Sequence, residues 1–337
     1  MNPDPTRPRI AVSRSGLPGG GVELLAARCD VVEWREDAAP TAGELADLVR
    51  GCDGAVVLGT DRVDAALLDA AGDRLRVVAL ASMGYDAVDQ AAAAERGVVV
   101  THTPGILAET TADIAMSLIL MSRRRLGAAV DSLRRGEWRT FRMSGFLGLD
   151  VHGATLGLVG YGQIARALAR RAAGFGMRIQ HHDPRQGGDD LSTAVGLPEL
   201  LRTSDVVSLH VPLTPETVNL IGAAELALMK PTATLVNTAR GGVVDETALL
   251  DALRSARLHS AGLDVMTDEP RSDPADPLLT EPKLVVLPHV GSATETTRAA
   301  MVELAVENVL AVLGNGAALT PLPGTPAAPA PRSTRSS

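Results

Sequence analysis

Hydrophobic positions fall into short β-branched runs that alternate with Ala- and Leu-rich helical stretches over almost the whole chain. Brief apolar runs are what strands buried on both faces require, and the helical periods between them supply crossovers for parallel strands. The pattern predicts strands at Arg9–Ser13, Asp30–Trp34, Gly54–Gly59, Arg76–Ala81 and Val98–Thr101. Helices are expected between them over Val22–Arg28, Ala42–Arg50, Val63–Ala71 and Ala87–Arg96. A long helix, Leu107–Arg125, follows; the cations at its end suit the helix dipole. Arg135–Asp150 has no clear period and reads as a long loop. A second series gives strands at Thr155–Val159, Met177–His182, Val206–Leu209, Thr234–Asn237, Ser260–Val265 and Leu284–Leu287, with a helix over Ile164–Phe175. The last helix, Thr294–Leu313, comes after this series is complete. The expected class is α/β with parallel sheets.

Composition narrows the picture. With 337 residues there is room for two ordinary domains. No apolar run reaches the ~18 residues of a spanning helix, and the polar, Pro-rich Met1–Ile10 segment has no secretory h-region, so neither a membrane protein nor a secreted one is expected. Cys29 and Cys52 are too few for a disulfide framework or a Cys-rich metal site; the reading is a reducing cytoplasm and no metal. A net charge of −8 argues against nucleic-acid binding, so an anionic substrate must be caught by local positive groups. The tail from Ala317 to Ser337 holds five of the 21 prolines and is expected to be disordered.

The candidate chemistry begins where Thr155–Val159 runs into a Gly-x-Gly-x-x-Ala turn at Gly160, Gly162 and Ala165, with a helix at once behind it. Gly160 permits the turn, Gly162 lets backbone N–H groups approach a pyrophosphate, and Ala165 keeps helix and strand close. Alone this motif is weak. Asp183, about 20 residues further on at the next strand end, stands where a ribose-binding carboxylate belongs. An Asp that simply opens a turn before Pro184 is the bland alternative; dinucleotide binding explains more.

Three residues follow the ends of late strands in the same series: Arg240, Glu269 and His289. In open α/β sheets those ends form the ligand crevice, so the three can converge. Arg offers a charged fork for a carboxylate and a carbonyl, His moves a proton near neutral pH, and a carboxylate can orient that His. Each alone could equally be a surface charge, an exposed turn acid or a loop histidine.

With these motifs in view, the chain resembles the D-isomer-specific 2-hydroxyacid dehydrogenases over about residues 8–314, most closely the glyoxylate/hydroxypyruvate reductases. The likeness rests on the Gly-rich loop, the Asn237–Asp245 and Ala261–Val265 segments, Asp268–Pro270 and Pro288–Ala293. It implies two Rossmann-like doubly wound parallel-sheet domains, an NAD-binding domain (105–292) inserted into a substrate domain (1–104 and 293–316). It implies Arg240, Glu269 and His289 as the catalytic set. For the cofactor it points to Thr111, Gly160, Gly162, Gln163, Ile164, Asp183, His210, Val211, Pro212, Thr217, Thr238, Ala239, Arg240, Asp264, His289, Gly291 and Ser292. For the substrate it points to Ser82, Met83 and Gly84 with Arg240 and His289, the Met83 and Gly84 N–H groups receiving a carboxylate.

The implied reaction is reduction of glyoxylate or hydroxypyruvate to the D-2-hydroxyacid, with His289 as proton donor. NADH is expected over NADPH, because NADPH-using relatives place Ser or Thr with Arg where Asp183 stands; Arg185 leaves NADP open. Met83 stands where phosphite-oxidising relatives carry a Lys, which counts against that activity. Trp138, Phe141 and Phe146 cluster in the unpatterned loop, either as a local plug or as a contact in the homodimer that the resemblance implies, from which a Trp can reach the partner's pocket. A dehydrogenase for a bulkier hydroxyacid or for phosphite, or a non-catalytic NAD-sensing protein, stays open at this point.

Overall fold

The computed structural model describes residues 7–328. The chain folds as two compact units, Met1–Leu107 with Ala293–Ser337, and Ala108–Ser292. In the first unit β1 (Arg9–Val12), β2 (Asp30–Glu33), β3 (Gly54–Val57), β4 (Val77–Leu80) and β5 (Val99–Thr101) form an all-parallel sheet in the order β2-β1-β3-β4-β5. β3 and β4 are buried along their whole length, as strands covered on both faces must be. One face is covered by the helix Glu295–Leu313, which packs on β3 and β4; Val302, Ala305, Val306 and Val309 bury against Ile10, Val56 and Val77. The helices facing the other side start at side-chain caps on Thr41, Asp64 and Asp89, each satisfying an otherwise orphaned N–H.

The second unit holds β6 (Thr155–Val159), β7 (Arg178–His182), β8 (Thr193–Ala194), β9 (Val206–Leu209), β10 (Thr234–Asn237), β11 (Ser260–Leu263) and β12 (Leu284–Val286). They are all parallel, in the order β12-β11-β10-β9-β6-β7-β8. The chain starts in the middle, at β6, and winds outward both ways. The strand order therefore reverses between β6 and β9, and a crevice opens beyond their carboxyl ends. The helix Ala108–Arg123 lies so close to β11 that a Cβ on Gly262 would sit 3.0 Å from Leu118 Cβ.

Three differences from the sequence reading stand out. Leu126–Arg134 is a helix, set off from its predecessor by Arg125 in the left-handed region (φ 54°). Short β8 adds an edge strand. The tail expected to be disordered is ordered over 318–328: Pro321 bridges Thr101, Leu322 N–H donates to Val100 O at 2.8 Å, and the Leu322 side chain is buried. Buried Asn308 explains this, because its Oδ1 accepts both Leu319 and Thr320 N–H while Leu322 fills the core beside β5. Pro321 needs no partner for an N–H and suits a sheet edge. Residues 329–337 of that tail lie outside the described residues. No helix among the described residues is long and apolar enough to cross a membrane.

Candidate active site

Every candidate residue of the second unit except Thr111 lies at or beyond the carboxyl end of a strand. After β6, Gly160 has φ 86° and its missing Cβ would lie 2.7 Å from His210 O, so the turn closes only with glycine. Tyr161 next to it is fully buried, stacked on His181 at 3.9 Å with the Arg166 guanidinium 4.3 Å above its ring. Its hydroxyl donates to Asp189 at 3.0 Å, which makes this tyrosine a wedge that stiffens the loop. A Cβ on Gly162 would meet nothing within 4 Å, leaving open space before the N-terminus of the helix Gln163–Gly174.

At the end of β7, Asp183 accepts Tyr161 N–H and Arg185 N–H, each at 2.9 Å. Burial raises its carboxyl, but these two N–H groups outweigh that and hold it below the ordinary value, so it is ionised near neutral pH. After β9, His210 is hydrogen-bonded to Ser208 Oγ at 2.9 Å and burial pushes it down to about 3, so it is a neutral ring. Thr217 donates to Pro212 O at 2.6 Å, which closes the following turn.

Beyond β10, buried Asn237 braces the next turn from both sides, accepting Ala239 N–H at 3.0 Å and donating to Arg240 O at 2.8 Å. A Cβ on Gly241 would lie 2.0 Å from the Met266 carbonyl carbon. The turn carrying Arg240 and the turn carrying Glu269 are therefore in backbone contact. Beyond β11, Glu269 Oε1 accepts Met266 N–H at 2.6 Å and Oε2 meets His289 Nδ1 at 2.7 Å. Burial raises the Glu269 carboxyl, yet the His289 hydrogen bond and the Met266 N–H outweigh it, with help from the charge on Arg240, and hold it below its ordinary value. An ionised Glu269 fixes the proton on Nδ1, leaving Nε2 of a ring 44% exposed to face a reactant.

His289 itself sits at φ 52°. Asp264, 1% exposed, secures it: the backbone oxygen accepts His289 N–H at 2.9 Å, and the carboxylate accepts Val290 N–H and Gly291 N–H, each at 2.8 Å. Burial keeps the Asp264 carboxyl above its ordinary value against the pull of those N–H groups and of His289. Thr111 joins the same corner through its hydroxyl to Gly291 O at 3.3 Å.

The matching family model, D-isomer specific 2-hydroxyacid dehydrogenase, NAD binding domain, spans residues 116–291. The chain belongs to this family. It is 43% identical over 311 residues to a glyoxylate reductase of Korarchaeum cryptofilum, covering 90% of this chain and 92% of that one. A glyoxylate reductase of Thermococcus litoralis is 41% identical over 313 residues, with coverage of 90% and 93%. Among solved structures, a Thermus thermophilus protein superposes with a TM-score of 0.88 at 45% identity, covering 93% of this chain and all but 1% of its own. An NADPH-dependent glyoxylate/hydroxypyruvate reductase of Sinorhizobium meliloti, solved with NADP and malonate, gives 0.81 at 37% identity, with coverage of 97% and 100%.

A member of this family is an oxidoreductase that uses NAD(P), and the second unit fits such a cofactor. Open space faces Gly162 at a helix N-terminus, an ionised Asp183 ends the neighbouring strand, and the Thr238 hydroxyl is buried with no partner among the described residues. The first unit holds the Ser82–Gly84 turn. Ser82 Oγ donates to Gly84 O at 2.7 Å, Thr103 N–H to Ser82 O at 2.8 Å, and His102 Nδ1 meets Met83 O at 2.9 Å. Among the described residues the Met83 and Gly84 N–H groups find no acceptor. Sequence reasoning did not find Asn237 in its bracing role, nor the charged residues Glu246, Arg271 and Asp276 around the Glu269 turn; no spacing motif marks them.

Proposed function

We propose that the protein reduces a small 2-oxoacid, glyoxylate or hydroxypyruvate, to the 2-hydroxyacid, of D configuration where C2 becomes a stereocentre, with His289 as proton donor and NADH as the preferred cofactor. The observation that carries this reading is the His289–Glu269 pair at 2.7 Å, with the Arg240 turn packed directly against the Glu269 turn. When bound, the nicotinamide supplies the hydride. His289 delivers a proton from Nε2 to the oxygen at C2 as it becomes an alkoxide, while Glu269 keeps the ring oriented through Nδ1. Arg240 holds the substrate carboxylate and polarises the ketone through its planar fork. The resemblance assigns the Met83 and Gly84 N–H groups to the carboxylate as well, with Met83 and Tyr85 as the bulky residues that limit the group at C3. The Thr238 hydroxyl and the Asp264-anchored turn face the nicotinamide side, the Gly160–Ile164 segment the pyrophosphate and Asp183 the ribose.

Such size exclusion is worth only ~1–3 kcal/mol, so some turnover of pyruvate is expected. The test is the ratio of kcat/KM for glyoxylate over 2-oxoisocaproate with NADH. A ratio above one is expected; one below unity contradicts the small-substrate reading.

The working unit is proposed to be a homodimer. Eight of the 14 exposed large hydrophobic residues among those described fall between Leu126 and Leu147 of the second unit. A concentration of that kind supports an interface with a second copy rather than scattered surface apolarity.

A further inference from the structure

The turn that carries Glu269 is gripped by two charged side chains, Glu246 and Arg271, backed by a third, Asp276, and the proposed chemistry uses none of them. Glu246, at the start of the helix Glu246–Arg254, accepts Thr267 N–H on Oε1 at 2.6 Å. Arg271 donates from Nε to Thr267 O at 2.8 Å. The same guanidinium donates from Nη2 to Glu246 Oε2 and from Nη1 to Asp276 Oδ2, the latter at 3.0 Å. Both polar backbone groups of Thr267 are thus held by two side chains that also hold each other. The adjacent Met266 N–H is the group that positions Glu269 Oε1. On its other flank the turn is stopped by Gly241, where no Cβ could fit. The side chains of Arg271, Glu246 and Asp276 are only 20%, 14% and 14% exposed, so their charges are largely withdrawn from water and lose much if one partner goes.

We infer that Arg271, with Glu246 and Asp276, is a positioning residue that fixes Glu269 against His289. This rests on the roles given above to Glu269 and His289. Without the guanidinium, Thr267 O loses its donor and Glu246 its counter-charge. The turn is then free to tilt about Gly241, and Glu269 no longer meets Nδ1 in one geometry. A small displacement of a catalytic pair costs far more in rate than in substrate or cofactor binding.

The experiment compares the full-length protein with Arg271→Met, Arg271→Lys and Glu246→Gln. In Arg271→Met, kcat for glyoxylate is expected to fall about tenfold or more, while KM for NADH stays within about twofold. The charged groups facing Glu269 are His289, Arg240 and Asp264. His289, Arg240 and the Met266 N–H hold its carboxyl below the ordinary value, so the acid limb of the kcat profile should move to higher pH when the turn loosens. Arg271→Lys, which restores a charge without the fork, should recover part of kcat. Glu246→Gln keeps an oxygen for Thr267 N–H and guards against loss of folding; it should shift both quantities in the same direction by a smaller amount. The downfield proton resonance of His289 Nδ1–H, read without turnover, should weaken or shift in the same variants. A folded Arg271→Met or Glu246→Gln protein with wild-type kcat, acid limb and resonance overturns the inference, whatever its Tm. A wild-type protein that turns over no 2-oxoacid strikes the proposed function, and the resonance still decides the role of Arg271.

Discussion

Asp264 and Asp183 show how two carboxylates on one sheet come to do different work. Asp264 is sealed in and gives both oxygens to consecutive backbone N–H groups, so it shapes the left-handed turn that presents His289. Asp183 also accepts two N–H groups but ends β7 beside the Gly-rich turn, where its proposed place is at the ribose. A second negative group placed there is disfavoured by like-charge repulsion, which is the physical basis for the proposed preference for NADH. Arg185, whose N–H already binds Asp183, is the nearby cation able to soften that repulsion. Wild-type kcat/KM is therefore expected to be higher with NADH than with NADPH. Asp183→Ser should narrow the ratio by about tenfold or more, removing repulsion worth on the order of a kcal/mol or more. Steady-state rates with both cofactors check this; a wild type that favours NADPH contradicts the role given to Asp183.

At the scale of elements, most of the two sheets was readable because their strands are buried on both faces. Runs such as Val206–Leu209 and Thr234–Asn237 are buried along their whole length, so neither alternates with a solvent-facing side. That the candidate residues would converge was readable for a related reason. Parallel strands deliver their carboxyl ends to one edge, so Arg240, Glu269 and His289 share that edge although they are far apart in sequence. What escaped were elements whose stability comes from partners distant in the chain. The Pro-rich tail looks disordered by composition, yet Asn308 and the core beside β5 hold it as far as residue 328. The helix Leu126–Arg134 does carry Leu126, Val130 and Leu133 at helical spacing, but that stripe is exposed and packs on no core, and only the left-handed Arg125 separates it from the helix before it. Glu246 and Arg271 stand 25 residues apart and become a pair only through the fold.

For the whole molecule, the apolar surface around Leu133, Trp138 and Phe141 sets an expectation about assembly. Sedimentation equilibrium should find a dimer in the wild type, and Leu133→Asp with Phe141→Asp should shift it toward monomer, since placing charge in an apolar interface is strongly unfavourable. A wild type that is monomeric at micromolar concentration would contradict the dimer. The account as a whole turns on His289. Its Nδ1 is engaged by Glu269, its backbone is fixed by Asp264, and its Nε2 is the group assigned to move the proton. The most direct measurement is turnover of glyoxylate with NADH by His289→Ala, alongside NADH binding followed by fluorescence. The account predicts a loss of at least ~10²-fold in kcat with cofactor affinity nearly unchanged; near-normal turnover would contradict it.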